Sequence, residues 1–213
     1  MWNNMDNLVI TIGREFGSGG HEIGKRLAKI LNISFYDNEL IDLAVEKTGY
    51  HKDYVKNHDE KPPTFSPGSL LTVFAPEYYQ LTNLDNIQIQ EYNIVKEIAQ
   101  RESCVIVGRG ADYALREMGS INIFLYAPLE YRIKRKLAID KNKNHLTYQE
   151  MEKLVHQVDK QRKRYYEYYS DKKWGNCNTY DLCVNTSALG IEGTVDLILA
   201  FVNNYGRGSI LPD

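Results

Sequence analysis

The fold of this chain is decided by one short stretch, Gly13-Arg14-Glu15-Phe16-Gly17-Ser18-Gly19-Gly20-His21. The apolar run at 8–12 precedes it and predicts a buried strand, while Ile23, Leu27 and Leu31 follow it at helical spacing. A glycine-rich turn between a strand and a helix can close its backbone N–H groups around phosphate oxygens. The stretch therefore predicts phosphate binding, and the alternative is a strand-to-helix turn that binds no ligand.

The glycine loop, residues 13–21, departs from the P-loop pattern G-x-x-x-x-G-K-[ST] at three positions. When Gly19 is taken as the second glycine of the pattern, Arg14 stands at the first glycine and Gly20 at the lysine. His21 then stands at the Ser or Thr. The dinucleotide fingerprint G-x-G-x-x-G and the nucleophile elbow G-x-S-x-G both fail, because each needs a glycine that the sequence lacks. Any function of the loop must therefore account for the missing lysine.

The composition limits the class of protein. The chain has 213 residues, of which 43% are hydrophobic, so it can bury one substantial core. Its net charge of -2 creates no global attraction to nucleic acid or membranes. No apolar run approaches the roughly 20 residues of a membrane span, the start of the chain is polar, and the 3 cysteines form no C-x-x-C pair. We therefore expect a cytoplasmic protein with reduced thiols and no membrane partner.

Strand-like and helical segments alternate along the chain, which predicts an α/β fold with a parallel sheet covered by helices on both faces. In such sheets, ligands bind beyond the carboxyl ends of the strands, where the glycine loop falls. Residues 50–83 break the alternation with 4 prolines and predict an inserted or mobile segment. Strands are predicted at 8–12, 33–37, 104–107, 121–126 and 181–185. Helices are predicted at about 38–47, 84–101, 112–118, 129–139, 147–169 and 191–203.

Basic residues concentrate in the segment 132–173, which holds thirteen lysine and arginine residues against six acidic ones. A solvated helix face is the usual structure of such a segment. A nucleic-acid surface is the second interpretation, and the interspersed acidic residues argue against it. The third is a lid that closes over a polyphosphate and neutralises its charge. Arg162 and Arg164 lie in the densest part, and they cannot share one helix face unless the helix ends or bends there.

Four motifs together resemble the cytidylate kinase-like family, a branch of the P-loop nucleoside monophosphate kinases. They are the glycine loop, residues 35–41 (Phe-Tyr-Asp-Asn-Glu-Leu-Ile), residues 107–109 (Val-Gly-Arg) and residues 180–187 with 190–192. The resemblance extends from about residue 8 to 203. It implies a single domain whose five-stranded parallel sheet comprises about 8–48, 84–139 and 178–204. An acceptor-binding insertion at about 50–83 and a basic helical lid at about 140–175 complete the implied fold.

The resemblance also implies roles for individual residues. The loop would bind the β-phosphate of ATP through the backbone of Gly17, Ser18, Gly19, Gly20 and His21. Arg109 and Asp37 would hold the acceptor. Arginines near the transferred phosphate and in the lid would be catalytic: Arg132, Arg135, Arg162 and Arg164. On the residues alone, Arg14, Arg132 and Arg164 are candidates for the cation that replaces the lysine, and Arg14 lies inside the loop.

For each of these residues, the sequence also allows an interpretation without a catalytic or binding role. Arg109 could pair with a neighbouring carboxylate, Asp37 could cap the following helix, and Arg14 could be a surface residue. His21 is more typical of a loop end than of a catalytic base. The tyrosines at 165–169 are expected to pack the lid.

The leading hypothesis is therefore a kinase that uses ATP and Mg²⁺ to phosphorylate a nucleoside monophosphate, similar to CMP, or another small acceptor. It predicts a small-molecule nucleotide partner and no nucleic acid. The alternative is a nucleotide-binding regulatory or sensor protein, in which the degenerate loop supports little or no transfer. No metal site formed by protein residues alone is predicted.

Overall fold

The computed structural model describes residues 7–37, 76–139 and 146–205, and within them all five strands join one parallel sheet. In chain order the strands are β1 (Val9–Arg14), β2 (Ser34–Tyr36), β3 (Cys104–Val107), β4 (Ile121–Tyr126) and β5 (Leu182–Asn185). Their order across the sheet is β2-β3-β1-β4-β5. The predicted α/β class with a five-stranded parallel sheet is therefore confirmed.

Six helices cover the sheet within these described ranges. They are α1 (Gly20–Leu31), α2 (Pro76–Arg101), α3 (Ala111–Ala114), α4 (Leu129–Ile139), α5 (Tyr148–Tyr169) and α6 (Thr186–Asn204). A short 3-10 helix, Cys177–Thr179, precedes β5. The predicted helix at 38–47, most of the predicted insertion and residues 140–145 of the predicted lid lie outside the described residues. The division into core, insertion and lid stays a prediction.

Apolar side chains fill the space on both faces of the sheet. On one face, Ile23 of α1 and Ile198 of α6 pack in the same buried cluster as Ile10 and Ile12 of β1. On the other face, residues of α2 and α3 pack with Val9, Cys104 and Ile106. The central strands are buried on both faces, because helices cover both sides of the parallel sheet.

Two turns that contain predicted site residues emerge side by side at the carboxyl end of the sheet. Ile12 of β1 pairs with Val107, the last residue of β3, so β1 continues through Gly13 and Arg14 beyond the end of β3. The glycine loop follows β1, and residues 108–110 follow β3. On the other side of β1, Gly13 pairs with Phe124 of β4. The topology therefore places the loop between the ends of its two neighbouring strands.

Several helix bounds differ from the prediction. Helix α2 begins at Pro76, about eight residues before the predicted start. Proline is interpreted as a helix break in the prediction, but it is well tolerated at the first position of a helix. Helix α3 ends at Ala114, earlier than predicted, and residues 115–118 form turns. Helix α6 begins at Thr186 and is interrupted at Gly190, whose φ of 66° and ψ of -174° are not helical.

Helix α6 is, within the described ranges, the one whose length and mean hydropathy would suffice for a membrane span. Length and composition alone are weak grounds, since core helices of water-exposed domains pass the same test. Val195, Ile198 and Val202 of this helix are buried in the cluster on the sheet. Packing on the sheet accounts for these three residues, whereas Leu189 and Leu197 of the same helix are exposed.

Candidate active site

The glycine loop has a backbone shape that requires glycine. Gly17 and Gly19 have φ values of 87° and 95°, which lie in the left-handed region that side chains disfavour. A Cβ atom on Gly19 would also lie 2.5 Å from Cδ1 of Ile191. Gly19 is the N-cap of α1, so the loop leads directly into the first helical turn, whose N–H groups favour an anion.

Buried hydrogen bonds hold the loop from below. Ser18 is fully buried, and its hydroxyl donates to the carbonyl of Glu15 at 2.8 Å. The hydroxyl of Thr186, also fully buried, donates to the carbonyl of Ser18 at 2.8 Å. The side chain of Ser18 is therefore engaged within the loop itself. The role of residues 17–21 in binding phosphate stays a prediction.

Arg14 lies across the start of α1. A Cβ atom on Gly20 would lie 2.8 Å from Cβ and 2.9 Å from Cγ of Arg14, so the arginine stem occupies the space beside Gly20. The guanidinium then lies against Gly108, whose φ is 86° and where an added Cβ would be 2.7 Å from Cζ of Arg14. Arg14 is therefore an integral part of the loop, and the surface alternative does not describe it.

Asp37 links Arg14 to His21. Nδ1 of His21 lies 2.5 Å from Oδ2 of Asp37, and Nη2 of Arg14 lies 3.8 Å from Oδ1 of the same carboxylate. Asp37 is buried, whereas the His21 side chain is 58% exposed. A carboxylate that follows β2 is thus held beside the first turn of α1 by two partners, and its acceptor-binding role stays a prediction.

Arg109 occupies a strained position between β3 and α3. Gly108, Arg109 and Gly110 have φ values of 86°, 61° and 59°, so three consecutive residues are left-handed. This conformation is costly for a residue with a side chain, and such strain concentrates at functional sites. It aims Arg109 into the interior, where Nη1 lies 3.6 Å from Oε1 of Glu91. Both side chains are buried.

The charge of Arg109 is destabilised by its surroundings. Burial lowers the pKa of Arg109 to about 10, and the nearby charges of Arg14 and Arg162 act in the same direction. Tyr165 and Asp37 act in the opposite direction. The group stays protonated at neutral pH, so a concentration of positive charge is built into this part of the protein.

These arginines share one cleft at the carboxyl ends of β1 and β3. Three guanidinium-bearing residues line it: Arg14, Arg109 and Arg162. Its aromatic wall consists of Tyr165, Tyr166, Trp174 and Tyr180. Asp112 is the acidic residue in the lining. The lining of the cleft therefore combines three cationic side chains with an aromatic wall, and α5 contributes to both.

Asp112 is tied to the aromatic wall. The hydroxyl of Tyr166 donates to Oδ2 of Asp112 at 2.6 Å, and burial raises the pKa of this carboxyl. Tyr165 donates to Oε2 of Glu91 at 2.8 Å, so a second tyrosine of α5 joins the partner of Arg109. Tyr165 and Tyr166 therefore pack α5 onto the body of the protein, as expected, and they also line the cleft, whereas Tyr168 is exposed.

Arg132 binds the loop through protein acceptors. It donates from Nε to the carbonyl of Ala127 at 2.8 Å and from Nη1 to the carbonyl of Phe16 at 3.1 Å. Nη1 also lies 2.5 Å from Oδ2 of Asp159, and Nε lies 3.2 Å from Oε2 of Glu15. This geometry favours a positioning role for Arg132, and its predicted catalytic role is untested.

Arg135 lies beside the loop. Its Nη2 is 2.6 Å from Oε2 of Glu22, and its Cζ would be 3.5 Å from a Cβ atom on Gly19. Glu22 also binds Arg26, so a chain of charges runs along the first turns of α1. Arg135 therefore lies close to Gly19, and its catalytic role stays a prediction.

Arg162 and Arg164 project differently from α5. The helix runs without a break to Tyr169, so the two residues lie on different faces. Arg162 lines the cleft, and its Nη1 donates to the carbonyl of Arg14 at 3.3 Å. Arg164 is exposed and does not line the cleft. The lid role that the resemblance implies for Arg164 has no structural support in this arrangement and stays a prediction.

Four contributors to the site escaped the sequence prediction: Glu91, Asp112, Asp159 and Thr186. Asp159 could have been identified from the sequence, because it is an acidic residue inside a basic segment. Asp112 follows Arg109 by three residues, close to a motif that was recognised. Thr186 lies within the recognised motif 180–187, but its contact with the loop could not be predicted, because Ser18 is 168 residues away along the chain. Glu91 lies in none of the recognised motifs, and its partner Tyr165 is 74 residues away.

A magnesium ion would find limited protein ligands here. The described ranges hold no group of three His, Cys, Asp or Glu side chains arranged for a metal. Mg²⁺ in kinase sites is usually held by one or two carboxylates, with phosphates and water supplying the rest. The carboxylate of Asp37, beside the first turn of α1, is paired with His21 and Arg14, so it would have to exchange one of these contacts to bind Mg²⁺.

Comparison with known proteins identifies relatives along most of the chain. The sequence profile of the cytidylate kinase-like family matches residues 9–188. A cytidylate kinase of Methanocaldococcus jannaschii is 30% identical over 204 residues, covering 94% of this chain and 100% of the relative. A cytidylate kinase of Methanococcus aeolicus is 26% identical over 205 residues, with the same coverage.

Solved structures share the fold. A protein from Eubacterium ventriosum, described as uncharacterized, superposes with a TM-score of 0.69 at 26% identity and covers 92% of this chain and 99% of its own. The shikimate kinase of Bacteroides thetaiotaomicron superposes with a TM-score of 0.56 at 18% identity, with coverages of 92% and 98%. The second likeness shows a kinase fold of the P-loop type. Together with the family match over most of the chain, these findings establish that the protein belongs to the cytidylate kinase-like family.

Proposed function

We propose that the protein transfers the γ-phosphoryl group of ATP to a nucleoside monophosphate, with CMP or a similar nucleotide as the acceptor. Family membership supports a nucleotide kinase, and two relatives that match along their whole length carry the name cytidylate kinase. The choice of acceptor is the proposed part.

One observation carries the proposal: three arginines line a cleft that adjoins the glycine loop. Burial is the main cause that lowers the pKa of Arg109, and the charges of Arg14 and Arg162 lower it further, so a bound phosphate would stabilise the three guanidinium groups. Guanidinium groups bind phosphate through paired hydrogen bonds. The aromatic wall beyond them suits the flat ring of a nucleobase.

The two substrates would bind at different places, one at the glycine loop and the other in the cleft. The loop and the first turn of α1 would hold the phosphates of ATP, and the cleft would hold the acceptor, with its phosphate toward Arg14, Arg109 and Arg162. Asp37 lies between these two parts through its contacts with His21 and Arg14. The geometry suits transfer between neighbouring anions, in which catalysis depends on positioning and neutralised charge.

The transfer step balances without a protein base. An oxygen of the acceptor phosphate bonds to the γ-phosphorus, and the bond from that phosphorus to the β–γ bridging oxygen breaks. ADP leaves with the electron pair of that bond. Phosphate monoesters have a second pKa of about 6, so the attacking oxygen is deprotonated at neutral pH. Mg²⁺ supplies charge neutralisation when it is bound with ATP, and Asp37 would be its protein ligand.

The reaction is tested by incubating the protein with Mg-ATP and a panel of acceptors. The panel contains CMP, dCMP, UMP, AMP, GMP and the free nucleosides, and the readout is ADP release. We expect ADP release that depends on a monophosphate and is absent with nucleosides, because the arginines of the cleft require an anion. ATP binding by calorimetry without turnover for any acceptor would favour the alternative, a nucleotide-binding sensor protein.

A further inference from the structure

Two of the departures from the P-loop pattern are in direct contact. The pattern places a glycine where Arg14 stands and a lysine where Gly20 stands. In the structure, the space next to the Gly20 Cα is filled by Cβ and Cγ of Arg14. A side chain at position 20 would lie 2.8 Å from a carbon directly attached to the Arg14 backbone, which has little freedom to move. The arginine and a lysine at position 20 are therefore mutually exclusive.

A third glycine belongs to the same arrangement. The guanidinium of Arg14 lies against Gly108 at the end of β3, in the space that a Cβ atom would occupy. Its Nη2 is 3.8 Å from Oδ1 of Asp37. Arg14 thus starts at the end of β1, crosses the first residue of α1 and ends among the residues of the acceptor cleft.

We propose that Arg14 is the catalytic cation of this loop: the positive charge of the P-loop has moved from the helix, at position 20, to the end of the strand, at position 14. The inference rests on the proposed phosphoryl transfer and assigns a residue to it. Gly20 and Gly108 have no side chains, and this leaves the space that the Arg14 side chain occupies. The arginine at position 14 then replaces the lysine that the pattern places at position 20, and the loop keeps one positive charge.

The position of the guanidinium defines its task. The P-loop lysine reaches the β- and γ-phosphates. Arg14 ends between the loop and the cleft, next to Asp37 and in the electrostatic range of Arg109. A guanidinium there can bind the γ-phosphoryl group as it passes to the acceptor, where negative charge develops on its oxygens. Arg14 would act on the transferring group, and its contact with Asp37 would hold it there between turnovers.

The first experiment separates the charge of Arg14 from its packing. Arg14→Met keeps the aliphatic stem over Gly20, and Arg14→Lys keeps a charge. Arg101→Met removes an arginine just before the amino end of β3 and is the matched control, since its side chain is 65% exposed and pairs with Glu102. The measurements are kcat and KM with Mg-ATP and CMP, and the dissociation constant of Mg-ATP by calorimetry.

We expect Arg14→Met to lower kcat by roughly 10²–10³, the usual effect of losing one preorganised charge donor. Arg14→Lys should recover at least a tenth of the wild-type kcat, and Arg101→Met should match the wild type. A merely structural Arg14 would give equal losses for Met and Lys, or none for Met. Either of those results would overturn the proposal.

The second experiment reverses the exchange. Arg14→Gly with Gly20→Lys restores the sequence G-x-x-x-x-G-K, and each single variant is measured beside the double variant. We expect Arg14→Gly to weaken Mg-ATP binding at least tenfold, and the double variant to recover most of that loss. Gly20→Lys alone should lower the melting temperature, because the new stem meets Arg14. A double variant that is folded by circular dichroism but binds no better than Arg14→Gly would contradict the exchange.

Failure of this inference can be distinguished from failure of the proposed function. If the wild type shows no turnover with any acceptor, the kinase proposal fails, while the affinities for Mg-ATP still test Arg14. If the wild type turns over and Arg14→Met is as active as the wild type, the kinase proposal stands and the exchange is wrong. If the double variant does not fold, the comparison of Met with Lys decides.

Discussion

The carboxylate of Asp159 joins helix α5 to the glycine loop, because its Oδ1 accepts a hydrogen bond from the backbone N–H of Phe16 at 2.7 Å. Its Oδ2 binds Arg132 at 2.5 Å, and Arg132 in turn binds the Phe16 carbonyl. The Phe16 ring lies 4.6 Å from the ammonium of Lys136. One residue of the loop is thus held on both sides of its peptide unit by α4 and α5.

Asp159→Ala should loosen the loop. Removing the acceptor leaves the Phe16 N–H and the Arg132 guanidinium without this partner, which costs about 1–3 kcal/mol for a buried polar group and more for a charged one. We expect a lower melting temperature and an affinity for Mg-ATP reduced by about tenfold. Asp171→Ala, at an exposed position after the same helix, is the control. Unchanged ATP affinity in Asp159→Ala would show that the contacts of Asp159 with Phe16 and Arg132 do not shape the phosphate site.

Thr186 offers a cleaner test of the support beneath the loop. Its hydroxyl donates to the Ser18 carbonyl, while Thr194, on the same helix and equally buried, donates to the Gly190 carbonyl at 2.6 Å. Replacement of either threonine by valine keeps the volume and removes one buried hydrogen bond. Both variants should lose about 1–3 kcal/mol of stability. Only Thr186→Val should weaken Mg-ATP binding; equal affinities for the two variants would argue against support of the loop by Thr186.

Arg109→Lys should affect the acceptor more than the donor. The lysine keeps a charge beside Glu91 but loses the planar fork that binds phosphate in pairs of hydrogen bonds. We expect the KM for CMP to rise by at least tenfold, with the dissociation constant of Mg-ATP within threefold of the wild type. Arg101→Lys, at an exposed site, should leave both unchanged. A rise in the ATP dissociation constant that equals the rise in KM would place Arg109 on the donor side.

Arg162 and Arg164 can be ranked by truncation to alanine. Arg162 lines the cleft and contacts the Arg14 carbonyl, whereas Arg164 is exposed on another face of α5. Arg162→Ala should lower kcat/KM for the acceptor by at least tenfold, with a smaller loss in Arg164→Ala. Lys163→Ala, at the exposed residue between them, controls for the loss of charge on the helix. The reverse ranking would show that the helix rotates or bends during turnover.

The stability of the β2 edge should depend on pH through Glu102. This carboxylate accepts hydrogen bonds from Ser34 and from the Tyr36 hydroxyl, the latter at 2.8 Å, and these bonds, with Arg101, lower its pKa to about 2. A carboxylate with a lowered pKa stabilises the fold above its ordinary pKa of 4.5, and this contribution is lost as the pH falls toward 2. In urea unfolding experiments, the free energy of unfolding should therefore fall less between pH 5 and pH 2 in Glu102→Gln than in the wild type.

The sheet was predictable from the sequence because parallel strands buried on both faces appear as short apolar runs, such as 104–107 and 121–126. The resemblance supplied the positions of Arg109 and Asp37. The path of Arg14 was not predictable, since it depends on close approaches to Gly20 and Gly108, which only the three-dimensional packing defines. Helix bounds were least accurate where a proline or a glycine lay at the start of a helix, because such residues both begin and end helices.

The most direct test of the proposed reaction follows the phosphoryl group itself. The protein is incubated with ATP labelled at the γ-phosphate, Mg²⁺ and unlabelled CMP, and the nucleotides are separated. We expect the label to appear in CDP in equal amount to the ADP formed, and Arg14→Met to slow this transfer by roughly 10²–10³. Label that stays in ATP, or that is released only as inorganic phosphate whichever monophosphate is offered, would contradict phosphoryl transfer to a nucleotide.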